Sequence, residues 1–200
     1  IEKYYLFLFV ALIPWIFFSS SVTGGSSCII SQKDLVKKIY FPREVLPIAH
    51  VTTCFVNMLF SFIVVFFVII ISGIGVNLHA ILYLPIIMIV EYILALGMAM
   101  IFSALTVFLR DLEHILGIII MAWQFLTPIM YSIEIVPETI MPIFMANPMT
   151  PIIIAYRDIL YYKQIPELNT LLHALILGII SLIFGSIVFD KLQRHFAEEL

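Results

Sequence analysis

Charge is scarce in this chain. Only 12% of its 200 residues are charged and 63% are hydrophobic, where a soluble domain carries roughly a quarter charged residues. With a mean hydropathy of +1.16 it lacks the polar surface that water demands, and it is an integral membrane protein. Phosphate-binding and metal-binding patterns are missing as well. There is no Gly-x-x-x-x-Gly-Lys-Ser/Thr loop, so the chain is not expected to hydrolyse ATP by itself. There is no His-Glu-x-x-His helix, and His50, His79, His114, His173 and His195 fall in different segments, which leaves no set with metal-ligand spacing. Cys28 lies near a polar stretch and Cys54 inside an apolar run, so neither suggests a disulfide or a metal site. No local group of nucleophile, base and acid supports enzyme chemistry, and no catalytic, cofactor or metal residue is expected. No internal repeat, low-complexity segment or signal-peptide pattern is evident. The chain starts at Ile1 rather than Met, and an upstream part is expected.

What is present is long hydrocarbon. A helix needs roughly 20 mostly apolar residues to cross about 30 Å of membrane, and the sequence predicts spans over 4–23, 45–71, 80–109, 112–131 and 168–189. Gly24-Gly25 and Ser26-Ser27 are expected to close the first, and residues 72–77 to turn between the second and third. The polar residues 110–114 leave room only for a tight hairpin. Region 132–167 is apolar but broken by Pro137, Pro142, Pro148, Pro151 and Pro166. Such short apolar pieces form interfacial or re-entrant segments more often than crossings, and two short helices that dip in and return are expected. Placing 24–44, 110–113 and the tail after 189 in the cytoplasm puts seven of the ten basic residues inside, leaving Lys3, Arg157 and Lys163 outside. Five spans then start outside, which one further upstream span would repair.

The densest polar stretch runs from Ser31 to Pro47. Ser31 and Asp34 have the spacing of a capping box. Leu35, Val36, Ile39 and Tyr40 recur on one side of a helix over about 31–41, with Lys33, Lys37 and Lys38 on the other. Pro42 biases Phe41 away from the helical region and stops it. Arg43 and Glu44 open the next apolar run, where Pro47 is tolerated in the first turn. A short amphipathic helix lying flat on one membrane face is expected. Arg43 is expected to pair within the chain, with Glu44.

Glu91 is the sharpest single feature. It lies about eleven residues into the third span, roughly 16 Å deep at about 1.5 Å per residue. A carboxylate there usually faces a bundle interior or a wet pathway, so Glu91 either lines or gates a pathway or joins helices through a hydrogen bond. Aromatics crowd the first span from Tyr4 to Phe18, including Trp15, and the fourth at Trp123, Phe125 and Tyr131. Aromatic faces suit sugar rings, but interfacial belts and ordinary packing account for most such residues.

Ile13-Pro14-Trp15-Ile16-Phe17-Phe18-Ser19 and Lys37-Lys38-Ile39-Tyr40-Phe41-Pro42-Arg43-Glu44-Val45-Leu46-Pro47 together resemble the permease subunits of polysaccharide-exporting ABC-2 type transporters, which export O-antigen, capsular polysaccharide and teichoic acid. Arg110-Asp111, Thr127-Pro128-Ile129-Met130-Tyr131, and Asn147-Pro148 followed by Arg157 match in the same order, so the resemblance covers nearly the whole chain. Ala11 stands where the family commonly has Gly, and the family carries an amphipathic helix and one more span upstream. The resemblance implies an all-α permease bundle in the bacterial cytoplasmic membrane, a homodimer resting on two separate ATP-binding cassette subunits. ATP and Mg would sit on those subunits, with no cofactor in this chain and no nucleic-acid partner. It implies a coupling helix at 31–41, with Lys33, Asp34, Leu35, Lys37, Lys38, Tyr40, Phe41, Arg43 and Glu44 meeting the cassette subunit. Short gate helices would occupy 132–167 on the outer face, with Asn147, Pro148 and Arg157 at the gate. A lipid-linked glycan would pass through a channel at the dimer centre, where Glu91, Trp15 and Tyr131 line the route or make helix contacts.

Two rival readings differ in testable features. An ABC-2 permease for a drug or antibiotic shares the general fold, but the Phe-Pro-Arg-Glu run belongs to the glycan branch. A membrane-embedded acyl transferase would show paired His or acidic residues near one membrane face, and that pairing is absent.

Overall fold

In a computed structural model, residues 3–39, 41–73, 75 and 77–199 are described, without the side chains of Ala197 and Glu198. Tyr40, expected on the coupling helix, lies outside the described residues, as do Ile74 and Val76 of the expected turn. The described elements are all helical: α1 (Tyr4–Ser31), α2 (Lys33–Lys38), α3 (Val45–Ile71), α4 (Leu78–Ile81), α5 (Leu84–Phe108), α6 (Leu112–Leu126), α7 (Met141–Ala146), α8 (Met149–Leu160), α9 (Leu168–Leu192) and α10 (Phe196–Glu199). Single 3-10 turns occupy Ile133–Ile135 and Gln193–His195. Among the described residues, four stretches are long and apolar enough to cross a membrane: Tyr4–Ser31, Val45–Ile71, Leu78–Phe108 and Leu168–His195. The described residues form an all-α bundle built on these membrane-crossing lengths.

Three boundaries differ from expectation, each for a local reason. The first span does not close at residue 23, because Gly24-Gly25 is a packing site rather than a turn. A β-carbon on Gly25 would stand 2.9 Å from that of Ala99, and one on Gly24 2.5 Å from the His50 ring. The helix continues to Ser31, and the Thr23, Ser26 and Ser27 hydroxyls bond back to carbonyls three or four residues earlier. α2 is six residues rather than eleven. Ser31 is consumed by α1, and Gln32 precedes α2 with no side-chain cap, so the capping box does not form. α6 stops at Leu126 rather than 131, because Pro128 holds Thr127 extended at φ −104°, ψ 134°. Its 15 residues make a rod of about 22 Å at roughly 1.5 Å per residue, short of a full crossing.

α1 sits at the centre, against α5 and α3 along its length and against α6 and α8 more briefly. α5 and α9 form the most intimate pair. Their axes close to backbone contact: a β-carbon on Gly185 would lie 2.3 Å from the Gly97 carbonyl oxygen, and one on Gly97 2.4 Å from the Ser181 carbonyl carbon. Small residues allow such approach, and where lipid competes equally for apolar surface, close packing is what holds helices together.

The two ends of the bundle differ. At one, Lys3 donates to the Ser72 carbonyl and Asn77 Nδ2 to the Lys163 carbonyl at 2.9 Å, with Gly73 (φ 69°) and Gly75 (φ 75°) in left-handed turns. This is the proline-rich end. At the other, the basic end, a second apolar cluster of Ile29, Val36, Val107, Phe189 and Phe196 binds α2 and the tail to the bundle.

Candidate functional site

At the basic end, chain chemistry and geometry converge on α2. One and a half helical turns cannot bury a full apolar stripe, and only Val36 reaches the core. Leu35 and Ile39, on the apolar side, are 37% and 55% exposed. Lys33, Asp34, Lys37 and Lys38 are exposed beside them. Apolar and cationic groups therefore share one free surface.

The connection to α3 is held from 150 residues away. Arg43 does not pair with Glu44. Its Nη1 donates to the Gln193 carbonyl, and its guanidinium lies 5.8 Å from the centre of the Phe196 ring. Phe196 is fully buried, edge-on to Phe189 at 5.6 Å. Glu44 lies beside Asp190 instead. Burial, and then the neighbouring Asp190 carboxyl, raises its pKa above the ordinary carboxylate value. Residues 36–39 and 41–44 and Gln193–Arg194 together line an open groove of about 820 Å³.

At the proline-rich end, three separate motifs form one clasp. Asn147 Oδ1 accepts from Trp123 Nε1 at 2.9 Å and from the Met149 amide at 3.0 Å. Its Nδ2 donates to Thr127 Oγ1 at 2.9 Å and to the Leu126 carbonyl at 3.3 Å. Pro148 costs nothing there, since the first amides of α8 have no helical partner. Arg157 is 3% exposed. It donates to the Ile129 carbonyl at 2.6 Å and the Tyr131 carbonyl at 2.9 Å, and stacks 3.6 Å above the Phe7 ring. Burial lowers its pKa to about 10, against the opposing pull of the Tyr162, Tyr4 and Tyr131 phenols. The guanidinium is thus charged at neutral pH, and its two Nη groups make charge-assisted bonds to carbonyls, while Nε has no partner among the described residues. The clasp fixes α8, nearly all of whose side chains are buried, whereas α7 buries none.

Glu91 Oε2 accepts from the Tyr156 hydroxyl at 2.7 Å. Both side chains are fully buried, and the Tyr156 ring stacks on Phe62 at 5.5 Å. Glu91 therefore ties α5 to α8 and α3. Trp15 is 3% exposed, its ring 5.7 Å from that of Phe18, so it offers no free face to a sugar in this chain. Tyr131 donates its hydroxyl to the Phe125 carbonyl at 3.0 Å.

Sequence reasoning missed Tyr156, Gln193 and Phe196. A tyrosine beside a motif arginine was the only signal for the first. Gln193 acts through its backbone, which leaves no residue-type signature.

Residues 2–161 match the ABC-2 type transporter family. The whole chain is 31% identical to the O-antigen export system permease protein RfbA of Myxococcus xanthus, covering 77% of that protein. Two proteins of the same description from Klebsiella pneumoniae are each 33% identical, again over the whole chain and 77% of their length. A helical bundle with these motifs in this order, matched over this length, belongs to the ABC-2 type transporter family.

Proposed function

We propose that this chain is the permease subunit of an ABC transporter that exports a lipid-linked polysaccharide of the O-antigen type across the bacterial cytoplasmic membrane. The end-to-end likeness to permeases named for O-antigen export carries this reading. In it, two copies form the membrane unit over two ATP-binding cassette subunits, which bind the ATP and Mg. α2 is the coupling helix, and the basic end faces the cytoplasm. Leu35 and Ile39 supply apolar contact, and Lys33, Lys37 and Lys38 meet carboxylates of the cassette subunit.

Charge reversal tests the coupling role. Exposed ion pairs are worth roughly 0–1 kcal/mol each, so one loss is mild, but two reversals add repulsion. Lys37→Glu combined with Lys38→Glu is expected to leave the protein inserted while lowering both cassette subunit recovered per permease and glycan exported. Leu35→Asp is expected to be at least as harmful. Unchanged recovery and export in the double reversal would reduce the lysines to markers of orientation and move coupling to another segment.

A further inference from the structure

The tail that follows α9 reaches back to the start of α3, and this places it beside α2. The Gln193 carbonyl takes the Arg43 guanidinium, Phe196 lies under that guanidinium at 5.8 Å, and Phe196 packs on Phe189 and Phe108. The groove this closure forms is lined from both segments, with Gln193 and Arg194 facing Lys37, Lys38, Phe41 and Glu44. Arg194 is exposed, as are Lys37 and Lys38. The free charge around the groove is therefore mainly positive, since Arg43 is already occupied by a carbonyl and a ring and Glu44 lies against Asp190.

We infer that the α2 segment and the tail form one composite docking surface, in which Arg194 binds an acidic element of the ATP-binding cassette subunit alongside Lys37 and Lys38, and Arg43 is the positioning residue that holds the two halves together. This rests on the coupling role proposed for α2 and extends it to a second segment of the chain. An acidic partner is the occupant that charge favours. Neutral or basic surfaces would leave three exposed cations uncompensated. The composite also changes where force enters the bundle. A push on α2 reaches the α9 tail through Arg43, and α9 is locked backbone to backbone on α5 at Gly97 and Gly185.

The test is a binding titration of the cassette subunit of the same transport system against the full-length permease in detergent or nanodiscs, at several salt concentrations. The variants are Arg194→Glu, the Lys37→Glu/Lys38→Glu pair, and all three changes together. Arg194 is exposed, so its reversal leaves the fold intact, which melting of the permease alone checks. The expected result is an affinity loss of about threefold or more for Arg194→Glu, in line with an exposed pair, and a shallower salt dependence than wild type. Arg43→Lys, which keeps the charge but not the fork over Gln193 and Phe196, is expected to weaken binding as well, with the permease still folded. If the lysine pair weakens binding and Arg194→Glu leaves both affinity and salt dependence unchanged, the tail assignment is overturned while α2 keeps its coupling role. If neither variant changes binding, the coupling role of α2 fails and the composite surface falls with it.

Discussion

Glu91 and Asp158 are both acids in a chain with few charges, and their surroundings set different behaviour. Glu91 gives one oxygen to Tyr156, while its Oε1 has no partner among the described residues. If its task is to join α5 to α8, polarity suffices: Glu91→Gln keeps an acceptor for the tyrosine and is expected to fold and export as wild type. Glu91→Leu strands the Tyr156 hydroxyl, a loss of about 1–3 kcal/mol, and Tyr156→Phe in the same chain should restore most of it. Thermal melting of the purified variants reads this directly, and a well-folded Glu91→Gln that fails to export would give Glu91 a pathway role. Asp158 lies near the end of α8, beyond the spanning helices, where burial and then Glu167 raise its pKa from 3.8 to about 6. A folded-state value above the unfolded one stabilises the fold in acid, and that stability is lost as pH rises through about 6. The bundle is therefore expected to melt at a lower temperature at pH 7.5 than at pH 5. Asp158→Asn should flatten that dependence, by on the order of 1 kcal/mol once solvent screening is allowed for. An unchanged slope in the variant would assign the pH dependence to another group.

Among the elements, the α5–α9 pair is the least tolerant of change. Gly97→Ala or Gly185→Ala would push a β-carbon into the facing backbone, which cannot yield as a side-chain tip can. Either is expected to abolish stable protein in the membrane fraction. Gly117→Ala on α6 meets nothing within 4 Å and should gain up to about 1 kcal/mol of helix propensity. Equal yields of all three would mean that the helices are not held at this crossing. The contrast shows what was legible in the sequence. Long apolar runs exposed the spans, because a membrane-crossing backbone must satisfy its own hydrogen bonds, and the prolines marked 132–167 as a region of short helices. Gly24-Gly25 misled, since a glycine pair reads alike as a turn or as a close helix contact, and only Ala99 and His50 decide between them. The Phe41–Pro47 run marked the region proposed for coupling, yet its anchor was hidden: Arg43 binds a carbonyl 150 residues away. Thr127, Asn147 and Arg157 stood out as separate motifs. Their union in one clasp depends on how α6, α8 and the 127–131 turn fold back on each other, which no local pattern carries.

At the scale of the whole molecule, a closely packed helical core joins two unlike ends. The basic end carries a cationic, partly apolar surface, which the proposed function turns toward a cytoplasmic partner, and the proline-rich end holds α8 in a buried clasp while α7 lies exposed. Motion produced by ATP hydrolysis on the partner would enter at α2 and the tail and travel along α9 and α5. The cargo distinguishes this permease from its rival, since a small-molecule exporter with the same fold would share every one of these mechanical features. Reconstitution separates the two. Full-length permease and its cassette subunit in proteoliposomes, loaded on the cassette side with lipid-linked glycan, are assayed for glycan that an antibody or a glycosidase can reach on the opposite side. Glycan is expected to appear there only with ATP and Mg, and Lys37→Glu with Lys38→Glu is expected to abolish most of it. ATP-driven efflux of small amphiphilic dyes by the same vesicles, with the glycan remaining where it was loaded, would contradict glycan export.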